Sequence, residues 1–236
     1  MKKITLAIVA IGTLVGTPAL ALPPPSATYN WTGFYFGANG GAASAQTSWQ
    51  YFTVPGNAFI SSTPEATSGG LAGGTVGFNY QFGPNMVGGL EADWDWAGLN
   101  QSNSCPNPAF SCQVKMGDLG TARARLGWAS GPALIYVTGG AAWSNLTIQT
   151  VLGGVTTGTT AERVGYSFGG GVEWGFWNNW SLKLEYLHYD LGAGNFNVDA
   201  PASQYVRAEP SGDLFRLGLN WRFNLAGPSA MPLVTK

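Results

Sequence analysis

Two residues of the sequence are spaced so that they could carry out acid–base chemistry. His188 is the single histidine of the chain, and Asp190 follows two positions later. In a strand, residues two apart share a face, so this imidazole and carboxylate could serve as a general base and the group that orients it. The pair also fits an unreactive histidine at a strand end. Because no nucleophile or oxyanion donor is recognisable beside them, we expect the protein not to be an enzyme.

The two cysteines form a second candidate site. Cys105 and Cys112 lie seven positions apart, with Pro106 and Pro108 between them. In an oxidising compartment such a pair is expected to form a disulfide that closes a short loop. A metal site is the alternative, but two cysteines with no histidine nearby make a weak one. We expect the disulfide, and neither a metal nor another cofactor.

Residues 163–176 alternate between two kinds of side chain, as in a strand with two unlike faces. One face is apolar and consists of Val164, Tyr166, Phe168, Val172, Trp174 and Phe176. The other is small or charged and consists of Arg163, Gly165, Ser167, Gly169, Gly171 and Glu173. A soluble barrel would enclose the aromatic face, whereas a membrane barrel turns that face toward lipid. The second arrangement fits an exported bacterial protein.

The first 21 residues have the features of a signal peptide. Lys2 and Lys3 precede an apolar run over residues 4–15, and Ala19-Leu20-Ala21 has the small-x-small pattern of a cleavage site. The apolar run is shorter than the roughly 20 residues that a membrane-spanning helix needs. We therefore predict export, with cleavage near Ala21.

Composition narrows the class of protein further. Charged residues make up 10% of the chain and aromatic residues 13%, and there are 35 glycines. The mean hydropathy is nevertheless only +0.04, which argues against a helical membrane protein, because apolar and polar residues interleave. The formal net charge of −1 gives no basic surface for nucleic-acid binding.

About eight segments have the length and alternation of barrel strands. They cover residues 31–42, 71–82, 86–97, 115–129, 133–144, 163–176, 180–191 and 213–223. Tight turns at 83–85, 130–132 and 177–179 alternate with long polar connections at 44–70, 98–114, 145–162 and 192–212. We predict an all-β fold, an eight-stranded antiparallel transmembrane β-barrel with short periplasmic turns and four long extracellular loops. The barrel would occupy residues 31–223, preceded by a signal peptide (1–21) and a Pro-rich periplasmic spacer (22–30), and followed by a periplasmic tail (224–236).

Strand parity places charged residues of both signs inside this barrel. The acidic ones are Glu91, Asp93, Asp95, Glu173 and Glu185, and the basic ones are Arg123, Arg125, Lys183, Arg216 and Arg222. An eight-stranded barrel is only wide enough for its own side chains, so we expect these charges to pair across the interior, with inward glycines leaving room for the long basic side chains. The alternative is that they conduct ions or bind an anionic solute.

Aromatic residues suggest two further roles. We expect Trp31, Trp128, Trp143, Trp180 and Trp221, near strand ends, to form girdles at the two membrane interfaces. In the first long connection, Trp49, Tyr51, Phe52 and Phe59 could contact a ligand such as haem or a host surface, or could pack on one another.

Three stretches resemble the small alphaproteobacterial outer-membrane β-barrel proteins that are often labelled porin family. They read WTGFYFG (31–37), GDLGTARARLGW (117–128) and KLEYLHYDLG (183–192). The resemblance implies an OmpA-like eight-stranded barrel at the cell surface, and haemin binding or host contact in some relatives. It also implies that Leu219, Trp221 and Phe223 form the last-strand signal read by the barrel-assembly machinery. The family usually ends at that aromatic residue, whereas this chain continues for about a dozen residues, in which Pro228 and Pro232 argue against a strand.

The sequence thus predicts a structural protein of the Gram-negative outer membrane that displays surface loops. Its expected partners are outer-membrane lipid and lipopolysaccharide, and the barrel-assembly machinery. A ligand-binding or adhesive surface receptor, for haemin or a host surface, is the first alternative, and a narrow solute-conducting porin is the second.

Overall fold

The computed structural model describes residues 29–105, 109, 111–177, 179–197 and 204–223. These residues form strands β1 (Gly33–Thr53), β2 (Phe59–Phe82), β3 (Met86–Ser104), β4 (Ser111–Ser130), β5 (Ala133–Leu152), β6 (Val155–Trp177), β7 (Trp180–Asp190), β8 (Gly194–Asn197) and β9 (Gln204–Phe223). The predicted signal peptide, most of the spacer and the tail lie outside the described residues. Within the described part, no helix is long and apolar enough to span a membrane.

The strands close into a ring of eight antiparallel positions. From β1 to β7 each strand pairs with the next, β7 and β8 both pair with β9, and β9 pairs with β1 from Phe34 and Phe223 to Thr53 and Gln204. β7 and β8 share one position, because β7 pairs with residues 211–221 of β9 and β8 with residues 205–208. The predicted eight-stranded barrel is confirmed.

The structure differs from the prediction in the long connections, which are mostly strand. β1 continues to Thr53 and β2 begins at Phe59, so the stretch predicted as a 27-residue loop (44–70) contains only a tight turn. Residues 98–104, 111–114, 145–152, 155–162 and 204–212 are likewise strand. We call these extensions the far half of the barrel, and the part of each strand next to the turns at 83–85 and 131–132 the near half.

The near half has the predicted face pattern. Its outward side chains form an exposed apolar belt that includes Phe36, Val76, Leu90, Val137, Phe168, Leu184 and Leu217. The inward side chains of the same strands are buried and mostly polar or charged. In β9, for instance, Phe215 and Leu217 are exposed whereas Arg216 is buried.

The far half has the opposite pattern on the same strands. Its inward side chains form an apolar core that includes Trp49, Leu99, Met116, Leu146, Ile148, Phe196 and Val206. Its outward positions include the exposed residues Gln46, Lys115, Glu162, Arg207 and Glu209. The inward apolar alternation explains why these polar-looking segments form strands rather than loops, because each strand has one face to bury.

The backbone pairing of the ring ends at two places in the far half. The pairing of β2 with β3 runs from Phe82 and Met86 to Leu71 and Ala97 and ends there. The pairing of β6 with β7 ends at Tyr166 and Asp190. Above these points the strands lie in two groups of four positions, β8–β9–β1–β2 and β3–β4–β5–β6, with the apolar core between them.

At the near end of the barrel, two residues lie in places that the sequence did not predict. Trp31 was expected in an interfacial girdle, but it is fully buried inside the barrel mouth against Val87, Ala129, Leu134 and Tyr136. The Trp31 indole therefore fills the mouth of the barrel and does not contact lipid. Tyr29, expected in a spacer outside the fold, packs on Trp31 with ring centroids 4.7 Å apart. Trp128, Trp180 and Trp221 do face outward, as does Trp143.

Candidate functional site

The buried charges of the near half form one continuous network centred on Arg123. Its guanidinium contacts Glu91 at 2.6 Å, Asp93 at 2.5 Å and Glu185 at 3.2 Å. Strand parity brings these groups together, because β3, β4 and β7 each turn alternate residues into the interior. The guanidinium is planar and carries several donors, so one arginine can hold three carboxylates at once.

Two further arginines extend the network along the barrel axis. Toward the far half, Arg216 contacts Asp95 at 2.6 Å and Asp93 at 3.3 Å, and it also pairs with Glu185. Toward the near end, Arg125 contacts Glu173 at 2.8 Å and Glu91 at 3.2 Å. Each arginine thus joins carboxylates from different strands across the interior.

The remaining basic residues complete the charge balance. Lys183 lies 2.9 Å from Glu91, and Arg222 lies 3.9 Å from Glu173. Arg222 also packs over the Trp31 ring at 4.5 Å and over the Tyr29 ring at 4.9 Å. The structure therefore places all the sequence-predicted interior charges in contact with groups of opposite charge, in side chains with almost no exposure.

Neutral side chains that the sequence prediction missed bind the same carboxylates. The Tyr35 hydroxyl donates to Glu91 at 2.7 Å and the Tyr136 hydroxyl to Glu185 at 2.8 Å. Thr75 and Thr121 donate to Asp93, and Ser181 and Asn220 donate to Glu173. The alternation of faces along the strand could have placed Tyr35 inside the barrel, because its neighbours Phe34 and Phe36 both face outward.

Two inward glycines make room for tyrosine rings and not for basic side chains. A Cβ at Gly77 would overlap the ring of Tyr35, and a Cβ at Gly171 would meet the ring of Tyr136. The Tyr136 ring in turn lies under the Arg125 guanidinium, 3.9 Å from its centroid. The interior is filled by aromatic as well as ionic side chains.

The interior network is covered at both ends. The apolar core of the far half lies above it, and Trp31 and Tyr29 lie below it. Burial raises the pKa of the Tyr29 hydroxyl, which favours its neutral form. Within the described residues, no group of histidine, cysteine and acidic side chains is arranged to hold a metal ion. The arrangement is suited to neutralising buried charge.

His188 has a different carboxylate partner from the one the sequence suggested. Its Nδ1 lies 3.0 Å from Asp213 on β9, and the Tyr186 hydroxyl donates to the same oxygen at 2.7 Å. Asp190 shares the outward face with His188 but bonds to the Gly192 amide and to Tyr166. The imidazole is held on the outside of the barrel, above the apolar belt, by its hydrogen bond to Asp213 and by the nearby Phe168 ring.

Cys105 and Cys112 are joined by a disulfide at the tip of the β3–β4 hairpin. Cys112 faces inward, and its sulfur lies 3.4 Å from the Tyr51 hydroxyl. The bond therefore anchors the hairpin tip to the far apolar core.

The candidate ligand-contacting aromatics separate into two pairs. Trp49 and Tyr51 are buried in the far core, so they are not available to a surface ligand. Phe52 and Phe59 lie at the tip, where Phe52 stacks on Tyr205 at 5.2 Å and Phe59 is 59% exposed. Only the second pair has the exposure that surface contact requires.

The predicted assembly residues Leu219, Trp221 and Phe223 lie on the outward face at the end of β9. Trp221 and Phe223 flank the Phe36 ring at 5.1 and 5.3 Å. Recognition of these residues by the assembly machinery stays a prediction.

The fold and its inside-out pattern agree with the relatives of the chain. The family model described as outer membrane protein beta-barrel domain matches residues 7–223. The chain belongs to this family. It is 32% identical to the 31 kDa outer-membrane immunogenic protein of Brucella melitensis, over 91% of this chain and 92% of the relative. It is 30% identical to the 22 kDa outer membrane protein of Rhizobium leguminosarum bv. viciae, over 54% of this chain and 56% of the relative.

A solved structure shares the fold at low sequence identity. The outer membrane protein OprG of Pseudomonas aeruginosa superposes with a TM-score of 0.52 and 10% identity, covering 84% of this chain and 99% of that one. The small outer-membrane barrel, its antiparallel ring and its location in the bacterial outer membrane are thus established for this protein. The apolar belt faces lipid, the near end faces the periplasm and the far half lies outside the cell.

Proposed function

We propose that this outer-membrane barrel is a structural envelope protein with a closed interior, and that it displays its far half at the cell surface. The observation that carries the proposal is the interior network, in which each buried carboxylate contacts a buried base. A conducting pore needs water along its axis, whereas the interior of an eight-stranded barrel is typically only wide enough for its own side chains.

The two caps support the closed interior. An ion leaving the charged network would have to pass the far apolar core in one direction, or Trp31 and the Arg222 guanidinium above it in the other. Neither layer offers an ion a hydrated path. The proposal therefore excludes steady solute flux, and it assigns no catalytic role to His188, which faces away from the interior.

Conductance of the purified protein in planar bilayers tests the closed interior. We expect no stable single-channel steps from heat-modifiable, folded protein, while an unrelated porin reconstituted in the same way gives them. Regular steps would contradict the proposal.

In cells, deletion of the gene is expected to increase detergent sensitivity. The Trp31→Gly variant, which leaves the far half unchanged, tests whether the near cap contributes to this resistance.

An adhesive or ligand-binding surface is the second candidate function, and the exposed tip favours it. Phe59, Ile60 and Val54 are 59%, 45% and 43% exposed around the β1–β2 turn. Exposed apolar groups at a loop tip are typical of contact surfaces. Relatives are named immunogenic, which supports surface display of this half. Lipid, lipopolysaccharide and the barrel-assembly machinery remain the proposed partners of the membrane-embedded half.

Substitutions at the tip separate the two candidates. Phe59→Ser with Ile60→Ser is expected to abolish binding of haemin or of host-cell surfaces if the tip is a receptor. Val155→Ser, at the neighbouring β5–β6 turn and 69% exposed, is the matched control and should bind like the unsubstituted protein. If wild type and both variants behave alike in a haemin pull-down and in a cell-adhesion assay, the structural function is left as the explanation.

A further inference from the structure

Tryptophans at the outer edge of the apolar belt form a patch on strands β3, β4 and β5. Trp94 on β3, Gly120 on β4 and Trp143 on β5 stand in one row across these strands. Trp96 follows on the same face of β3, farther from the belt, and is 68% exposed. Outward tryptophans mark the boundary between lipid chains and headgroups. This surface, which we call the tryptophan patch, therefore meets the headgroups of the outer leaflet.

Gly120 allows the rings of the patch to lie along the barrel surface. A Cβ at this residue would overlap the Trp143 indole, so glycine lets the ring lie across β4. Trp94 stands on the other side of Gly120 and continues the aromatic surface. Indoles offer a large, rigid contact area with one polar group, which suits packing against the apolar face of another ring, such as that of a sugar.

Polar side chains lie beside these rings. Asp118, which faces Trp96 across β3 and β4, accepts hydrogen bonds from the backbone and side-chain amides of Asn145, both at 3.1 Å. Glu162, exposed on β6, stands opposite Asn145. A carboxylate oxygen accepts more than one hydrogen bond, so this group can still accept bonds from hydroxyls. Rings next to such acceptors match the two sides of a sugar, one apolar and one bearing hydroxyls.

Lys115 adds a cation above the patch. It is exposed on β4, and its neighbours across the strands, Asn100 and Thr147, are neutral. Within the described part of the chain Lys115 forms no ion pair, whereas Arg207, the other exposed base of the far half, pairs with Glu209 at 3.1 Å. A lysine ammonium binds phosphate as a compact point charge. The charge of Lys115 is therefore available to a phosphate from outside the protein.

The height of Lys115 fits a lipid headgroup. It lies three residues beyond Asp118 along β4, which is about 10 Å of strand and about 8 Å along the bilayer normal at the usual tilt. Headgroups extend roughly 5–8 Å beyond the hydrocarbon, and a lysine side chain is long enough to reach back toward them. The rings and the ammonium thus face the inner and outer parts of one headgroup layer.

Another side of the barrel has aromatic residues near this height but the opposite charge. Tyr166 on β6 and Tyr186 on β7 face outward, and their hydroxyls donate to Asp190 and Asp213. Carboxylates at such positions repel a phosphate. The side formed by β3, β4 and β5 is therefore the one whose charge complements a phosphorylated headgroup.

We propose that the tryptophan patch and Lys115 bind the phosphorylated sugar headgroup of an outer-leaflet glycolipid. The sugar packs on Trp96 and Trp143. Its hydroxyls bond to Asp118 and Asn145, and one phosphate lies at Lys115. This inference rests on lipopolysaccharide as a proposed partner of the membrane-embedded half. It is independent of the closed interior, which the conductance measurement tests separately.

Indole resonances provide the test, because the ten tryptophans include outward residues at both boundaries. The full mature protein, with ¹⁵N-labelled indoles, is titrated with diphosphoryl lipid A in phosphatidylcholine nanodiscs, where lipid A enters both leaflets. We expect saturable shifts of the Trp96 and Trp143 resonances. Trp174 and Trp177, which are 56% and 70% exposed at the near end, should show at most a small linear change. Equal shifts at both ends would overturn the proposal.

Three further titrations identify the headgroup chemistry. Glucosylceramide has a sugar and no phosphate, so it should bind about fivefold more weakly than lipid A. Phosphatidylglycerol has a phosphate and no sugar, and it should bind several-fold more weakly. Equal affinity for phosphatidylglycerol would mean that any anionic lipid suffices, which contradicts the proposal. A saturable shift with inorganic phosphate alone would assign the site to a free anion and contradict it as well.

Matched variants locate the binding. Lys115→Gln should weaken lipid A binding about fivefold and leave glucosylceramide binding unchanged, and Arg207→Gln, which removes a paired base, should bind like the unsubstituted protein. Trp96→Leu keeps apolar contact with lipid but removes the flat ring, so it should weaken binding of both glycolipids, while Trp177→Leu should not. Full lipid A affinity in Lys115→Gln and Trp96→Leu would overturn the proposal. If Trp96→Leu does not fold, Lys115→Gln, whose side chain is exposed, decides.

Discussion

The near and far halves of the barrel use the same strands and the same alternation to build opposite interiors. In β9, Arg216 and Arg222 are buried and Leu217 is exposed, whereas ten residues before Arg216 and Leu217 the pattern is reversed, with Val206 buried and Arg207 exposed. Only the surroundings differ, with lipid around the near half and water around the far half. A strand therefore carries no fixed inside chemistry, because the solvent on its outer face decides which side chains turn inward.

The interiors of the two halves are stabilised in different ways. Charges inside the near half are stable because every carboxylate meets a base and four of the five also accept a hydrogen bond from a hydroxyl, which offsets the cost of burying them. The far half needs no such pairing, since burial of Trp49, Leu146 and Ile148 away from water is favourable by itself.

The largest effect should come from removing a charge from the near interior. Arg216→Met leaves Asp93, Asp95 and Glu185 without one of their bases, so we expect the free energy of unfolding to fall by about 3–5 kcal/mol. Arg207→Met, in the far half, removes an exposed pair with Glu209 and should cost less than about 1 kcal/mol. Urea unfolding of both variants in lipid vesicles measures the difference, and equal losses would mean that the interior network is not the stabilising element.

A new charge on the outer face should distinguish the halves almost as strongly. Val137 in the apolar belt and Val155 at the far end are 65% and 69% exposed. Val137→Arg should cost about 2–4 kcal/mol because it places a cation in lipid, and Val155→Arg should change stability by no more than about 0.5 kcal/mol. Folding assays in vesicles decide, and a comparable cost at Val155 would place the far half inside the bilayer.

Loss of the disulfide should give the smallest and most local effect. The double variant Cys105→Ala, Cys112→Ala releases a short loop and is expected to lower stability by roughly 2–3 kcal/mol, limited to the far half. Hydrogen exchange should accelerate in residues 99–104 and 111–116 and stay unchanged in residues 86–95 of the same strand pair. Uniform acceleration would show that the two halves unfold as one unit.

The near half could be predicted from the sequence because its alternation is strong. Outward Phe, Trp and Leu next to inward Arg, Glu and Gly define both the strand and its orientation, as in residues 163–176 and 213–223. The inward charges followed from the same parity, and the structure places each of them in the interior network.

The far half was harder to predict because its outward residues are Ser, Thr, Gly and Gln, which also predominate in loops. The signal was present in the inward positions, for example Ala45, Trp49 and Tyr51 in β1 and Leu146 and Ile148 in β5. In β4 the inward parity changes between Met116 and Leu119, where the pairing with β5 is interrupted. Such a bulge shifts the face pattern by one residue and cannot be located from alternation alone.

The stacking of Arg222 over Tyr29 and Trp31 brings the first and last described segments of the chain into contact. A growing or partly threaded polypeptide has no Arg222 beside its leading segment, so the cap forms only after the final strand arrives. The contacts at the periplasmic mouth therefore form last, after all the strands of the barrel have been inserted.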